Sequence, residues 1–202
     1  VRWLNLNKKV SDKPGTVHIL IGATFFLIAA MALFMSRILI FNLTESLPFG
    51  LWNRTALNIE RGGVVGFCPT LPDQLKKEYL LEASENGFVR ICDENVQMMM
   101  KPIVAVPGDK VEIKDNKIFV NEKFLVSRLE KDGYGKPIES VKPGVYTVAK
   151  GEYWLISTYS KSSFDSRYFG AVKAEKIKYS LEPLLVNKSK KFCWNSQQYK
   201  CL

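Results

Sequence analysis

The order of apolar and polar positions divides the chain into two parts. Residues 19–36, ILIGATFFLIAAMALFMS, carry no charge, and after Arg37 the apolar run resumes as ILIF. Read as one helix over 17–41, this stretch would be roughly 37 Å long at ~1.5 Å per residue, enough to cross a bilayer with some tilt. Arg37 lies near the far end, where its side chain can extend to the interface. A cleaved signal peptide would have a shorter apolar core and an Ala-x-Ala-like exit, which is missing before Asn42. The pattern predicts a retained transmembrane helix.

Beyond Trp52 the period shortens. VVGF (64–67), FVRI (88–91), IVAV (103–106), KVEI (110–113), KIFV (117–120), VYTV (145–148) and YWLIS (153–157) are rich in β-branched and aromatic residues and read as strands. Pro107-Gly108-Asp109, Asp115-Asn116, Asn121-Glu122 and Pro143-Gly144 supply turns between them. A helix is expected over 73–84, where Leu75, Tyr79 and Leu80 share a face and Gly87 follows. The polar stretch 127–141, with Gly133 and Gly135, reads as a hairpin tip or loop, and the Lys-rich tail as solvent- or membrane-facing. The predicted fold is mainly β, a small barrel or two packed sheets after one transmembrane helix.

Charge adds an orientation. Arg2, Lys8, Lys9 and Lys13 stand before the apolar run against Asp12 alone, which places residues 1–16 in the cytoplasm. Residues 42–202 then form an extracytoplasmic domain. The net charge of +9 is spread along the chain. It suits an anionic lipid surface, and no nucleic-acid-binding motif accompanies it. Cys68, Cys92, Cys193 and Cys201 all follow the apolar run, and four cysteines allow three pairings. Proximity along the chain favours Cys68 with Cys92 and Cys193 with Cys201. No metal site is expected, because no Cys-x-x-Cys spacing occurs and His18 is the only histidine.

That histidine restricts the chemistry. A Ser-His-Asp triad needs a histidine beside the serine. His18 falls on the cytoplasmic edge of the apolar run, so an extracytoplasmic hydrolase here requires another base. Lysine is a poor one at its free pKa of ~10.4, and burial among apolar groups lowers that value. Lys101 has the most apolar setting of any lysine beyond the anchor, in MMMKPIVAVPGDKV. It reads equally as a strand-edge lysine extending past methionines and as a buried base. The strand at 153–157 runs into a polar loop holding Ser163, Asp165, Ser166 and Arg167. Asp165 and Arg167 read as a surface ion pair or as a clamp that shapes the loop, with a hydroxyl to orient the lysine. Ser46, in NLTESLPFGLW (42–52), taken alone reads as part of a juxtamembrane loop.

Together these segments resemble the membrane-bound signal peptidases that use a Ser-Lys dyad. KPIVAVPGDKV resembles that family's lysine box, SSFDSRYFG its Ser-x-Asp-Ser-Arg-Tyr-x-Gly box, and TESLPFG its nucleophile box. The short Ser-x-Pro spacing, between NLT and GLW, is similar to the conjugative-transfer (TraF-type) branch; the housekeeping branch has Ser-Met-x-Pro. The chain departs from the housekeeping box at Ser157-Thr158-Tyr159, where Gly-Asp-Asn is usual.

The resemblance implies Ser46 as nucleophile and Lys101 as general base. Ser163 would bond the lysine amine, and the Thr44 hydroxyl and the Ser46 N–H would form the oxyanion hole. Asp165 and Arg167 would be structural. It implies a signal-peptidase-like β domain, with a smaller β subdomain inserted over 112–150. The implied partners are the lipid bilayer and a membrane-inserted precursor, a pilin-type subunit in the conjugative branch, with a circular product in some members. No cofactor is implied. General preprotein processing and a non-catalytic assembly role in a conjugation or secretion complex are the alternative functions.

Overall fold

The computed structural model describes residues 14–71, 92, 96–132 and 134–187, and within the first helix the side chains of 18–31, 35 and 38. The chain divides into two units, residues 1–38 and 39–202. The expected helix over 73–84 and strand over 88–91 lie outside the described residues, as do Cys193, Cys201 and the Lys-rich tail.

In the first unit, helix α1 (Pro14–Ile38) covers 25 residues. Phe25, Phe26, Leu27 and Ile28 are each more than 60% exposed. Successive positions advance about 100° around a helix, so these four together face every side. Among the described residues no helix is both long and apolar enough to cross a membrane. The helix also stops short of the expected 41. Residues 39–42 leave it as strand β1 (Leu39–Asn42), paired antiparallel with β2 (Gly50–Thr55) from Leu39↔Asn53 to Asn42↔Gly50. Ile, Leu and Phe serve a strand as well as a helix, so the pairing partner decides the outcome.

The second unit is mainly β. Its larger sheet adds β3 (Val64–Phe67), β4 (Met99–Ala105), β9 (Glu152–Leu155), β10 (Val172–Lys173) and β11 (Ile177–Val186), in the order β1-β2-β11-β3-β4-β9-β10, with every pairing antiparallel. The smaller sheet holds β5 (Lys110–Lys114), β6 (Lys117–Val120), β7 (Lys123–Ser127) and β8 (Gly144–Thr147), ordered β7-β6-β5-β8. Its strands lie in the chain between β4 and β9, which are neighbours in the larger sheet. Two tight turns set its register. Asp115 and Asn116, then Asn121 and Glu122, all have positive φ, as two-residue turns of this hand require. Among the described residues of 128–143, Lys131 and Pro137 form a bridge and no strand is present.

Among the described residues, three apolar clusters hold the unit together. Val104, Ala105, Trp154 and Ile156 pack with Val111, Ile113, Ile118 and Val148, which seats the smaller sheet on β4 and β9. Val65, Phe67, Met99, Ile103, Leu155, Val172 and Ile177 form a second cluster. Leu47, Trp52, Val64, Tyr179 and Leu181 form the third, beneath the turn between β1 and β2. Gly66 is required there, because a Cβ at this position would stand 2.2 Å from the Tyr179 ring. A disulfide joins Cys68, just after β3, to Cys92, with Cα atoms 5.9 Å apart.

β11, which lies between β2 and β3 in the larger sheet, is not evident in the sequence. Its alternation is present: Ile177, Tyr179 and Leu181 are buried. Polar neighbours and Pro183, which sits where the pairing with β2 shifts register, obscure it.

Candidate active site

The turn that carries Ser46 is built around Asn42. This side chain is buried at the end of β1. Its Nδ2 shares two protons among the carbonyls of Thr44 (3.0 Å), Leu47 (2.9 Å) and Pro48 (3.1 Å). Its Oδ1 accepts from the Thr44 N–H at 3.1 Å and the Thr44 hydroxyl at 2.8 Å. Trp52 Nε1 donates to the Pro48 carbonyl at 3.2 Å, and the Leu47 side chain is fully buried. Residues 43–49 are therefore pinned at both ends, and Ser46 is held half-buried between them. Asn42 was not among the residues expected from the sequence. The available signal was an amide side chain directly after an apolar run and before a Thr, a place where Asn bonds nearby backbone.

Lys101 enters from β4, where it stands opposite Val65, and only 5% of it is exposed. It does not extend to solvent. Its Nζ lies 2.5 Å from Ser46 Oγ and 2.8 Å from Ser163 Oγ, and Ser163 Oγ lies 3.2 Å from Ser46 Oγ. Burial lowers the Lys101 pKa from 10.5 to about 8; the Asp165 charge opposes that shift and the Arg167 charge adds to it. At pH 7 about one amine in ten is then neutral, against roughly one in three thousand at the free value.

Asp165 and Arg167 are both fully buried. The carboxylate caps helix α2 (Ser166–Phe169) and meets the guanidinium in a fork, with Nε–Oδ1 at 2.8 Å and Nη2–Oδ2 at 2.7 Å. Arg167 also donates to the carbonyls of Ser127 at 3.1 Å and Ser157 at 3.0 Å. Of the two readings of this pair, a surface contact or a clamp within the loop, the burial fits the second. The loop from 157 to 167 wraps one guanidinium, which ties it to the end of β7.

Thr44 is exposed, and its hydroxyl donates to Asn42. The Ser46 N–H has no hydrogen-bond acceptor among the described residues. The structure thus brings together Ser46, Lys101 and Ser163, places Asp165 and Arg167 behind them, and sets Thr44 two residues before the serine on the same turn. A hydroxyl in contact with a buried, partly neutral amine is an arrangement that can generate an alkoxide nucleophile.

Residues 15–182 match the family of signal peptidases, peptidase S26, and the chain belongs to that family. It is similar to particular relatives over most of its length. A plasmid transfer protein TraF from Escherichia coli is 31% identical over 188 residues, covering 91% of this chain and 98% of that protein. A conjugal transfer protein TraF from Agrobacterium tumefaciens (strain 15955) is 33% identical over 158 residues, covering 76% of this chain and 85% of that protein. A probable signal peptidase I-2 from Synechocystis is 28% identical over 118 residues, covering 58% and 44%. Signal peptidases of this family are membrane-associated serine peptidases that act on membrane-inserted precursors.

Proposed function

We propose that this chain is a membrane-anchored serine endopeptidase of the Ser-Lys type, which cleaves signal or propeptides of membrane-inserted precursors at the outer membrane surface. Ser46 is the nucleophile and Lys101 the general base. The observation that carries this reading is the 2.5 Å contact between Ser46 Oγ and an amine whose pKa is lowered to about 8. With the amine neutral, the Ser46 hydroxyl donates along that contact and passes its proton to Nζ as Oγ attacks the carbonyl. Ser163 holds the amine in line from its other side. The Ser46 N–H and the Thr44 hydroxyl, the latter turned away from Asn42, receive the oxyanion. The protonated lysine then gives its proton to the leaving amine. Attack on the acyl-enzyme by water gives a linear product, and attack by a substrate amine gives a circular one. Asp165 and Arg167 keep the 157–167 loop in the shape that presents Ser163.

The anchor in this reading is α1, with residues 1–16 cytoplasmic and 42–202 extracytoplasmic, and the insertion expected over 112–150 is the smaller β sheet, which starts two residues earlier, at Lys110. Support comes from the large apolar side chains exposed on every side of α1, a pattern that water does not favour. Ser46 follows the helix end by only eight residues, a reach of at most ~29 Å at ~3.6 Å per residue. Enzyme and precursor are thereby confined to one plane, which contributes proximity. The similarity to proteins named for plasmid and conjugal transfer supports a pilin-type conjugative subunit as substrate.

Ser46→Ala and Lys101→Ala should each abolish cleavage of a co-expressed membrane precursor while the protein remains folded. Lys101→Arg should be equally inactive, because a guanidinium does not deprotonate at these pH values. Full activity in any of the three removes the dyad.

A further inference from the structure

Ser157 plays no part in the chemistry above, yet its side chain touches the nucleophile's own main chain. It is fully buried, two residues past the end of β9. Its hydroxyl donates to the Ser46 carbonyl, a contact between residues 111 apart in sequence, and accepts the Tyr159 N–H at 3.1 Å. Its backbone is fixed as firmly. The Ser157 N–H donates to Asp165 Oδ2 at 3.0 Å, and the Ser157 carbonyl accepts from Arg167 Nη2 at 3.0 Å. A hydroxyl has one proton. With the Tyr159 N–H on its acceptor side, that proton is directed at the Ser46 carbonyl.

We infer that Ser157 is a positioning residue that transmits the rigidity of the buried Asp165–Arg167 pair to the Ser46 peptide and so sets the aim of Ser46 Oγ at Lys101. The inference rests on the proposed Ser46–Lys101 chemistry. Asn42 holds the carbonyls of Thr44, Leu47 and Pro48, on either side of Ser46. The Ser46 carbonyl is held by Ser157, across the gap between the β1–β2 turn and the loop after β9. Without that bond the Ser46–Leu47 peptide plane gains freedom to rotate. That freedom at the Ser46 Cα–C bond loosens the hold on the Ser46 Cα and lets Oγ drift from the amine. Ser157 is also the point where the chain departs from the Gly-Asp-Asn of the housekeeping box, and a glycine has no hydroxyl for this contact.

The test compares full-length, detergent-solubilised wild type with Ser157→Ala and Ser157→Thr. Three quantities are measured: kcat and KM on a membrane-inserted precursor, the melting temperature, and the titration of Lys101 by NMR of lysine 13Cε. Loss of aim predicts a fall in kcat of about tenfold to a hundredfold in Ser157→Ala, with KM within about twofold. Ser157→Thr keeps the hydroxyl and should recover most of the rate. Lys101 should titrate higher in Ser157→Ala, because a displaced turn admits water to the amine. A lost structural bond alone would lower the melting temperature and leave both kcat and the titration unchanged, and that result overturns the inference. Should Ser157→Ala fail to fold, Ser157→Cys, close in volume and a weak donor, replaces it in each comparison. A wild type that cleaves nothing refutes the proposed function, and the Lys101 titration then judges the Ser157 contact by itself.

Discussion

Lys101 packs in a strand flanked by Met99, Ile103 and the Val65 position opposite it, and its burial has a consequence for stability as well as for chemistry. Below about pH 8 both the folded and the unfolded chain bind the lysine proton, and the folded state bears the full cost of a buried charge. Between pH 8 and 10.5 only the unfolded chain binds it, so stability rises with pH across that window. The displacement corresponds to about 3 kcal/mol at ~1.36 kcal/mol per pH unit. Lys101→Met should therefore raise the unfolding free energy at pH 7 by up to about 3 kcal/mol, an advantage that fades as the pH approaches 10.5. Urea denaturation at pH 7 and pH 10 checks both the sign and the trend. The setting of this lysine was legible in its run of methionines and the apolar strand after it. Its partners were not legible from local pattern, because Ser46 and Ser163 are 55 and 62 residues away. Only the motif resemblance linked the three. The roles of Asn42 and Ser157 were not legible for a related reason: each acts by bonding main-chain carbonyls, and any polar side chain can do that until the fold selects one.

Short runs rich in β-branched and aromatic residues were legible as strands close to where they form. VVGF is β3, KIFV is β6, and KVEI, VYTV and YWLIS overlap β5, β8 and β9. The elements that escaped notice are those whose existence depends on a distant partner. β2 contains Asn53 and Arg54, β10 has two residues, and β11 contains a proline; each is a strand because a neighbour supplies its hydrogen bonds. The end of α1 follows the same logic, since Leu39, Ile40 and Phe41 leave the helix to pair with β2. For α1 itself, the apolar side chains exposed around its circumference predict behaviour as an integral anchor. Alkaline carbonate extraction should leave the chain in the membrane pellet, and protease added outside intact inner-membrane spheroplasts should digest the β domain. Release into the supernatant, or digestion only after lysis, would contradict the anchor and its orientation respectively.

At the scale of the molecule, a mainly β unit places a hydroxyl and a buried amine in contact, eight residues beyond a helix apolar on all sides. The fold class was legible because turn residues punctuate short β-branched runs. The seating of the smaller sheet was not, since it depends on Trp154 and Ile156 meeting Val111, Ile113 and Ile118 in one cluster. Membership of the S26 signal peptidases fits this architecture, and the similarity to a TraF protein extends over 91% of the chain. The decisive measurement is the pH dependence of kcat/KM for Ser46-dependent cleavage of a membrane-inserted precursor. If neutral Lys101 is the base, the rate rises about tenfold per pH unit below pH 8 and levels off above it. A rate that is flat from about pH 6 to about pH 9, or one that persists in Lys101→Met, would contradict the account.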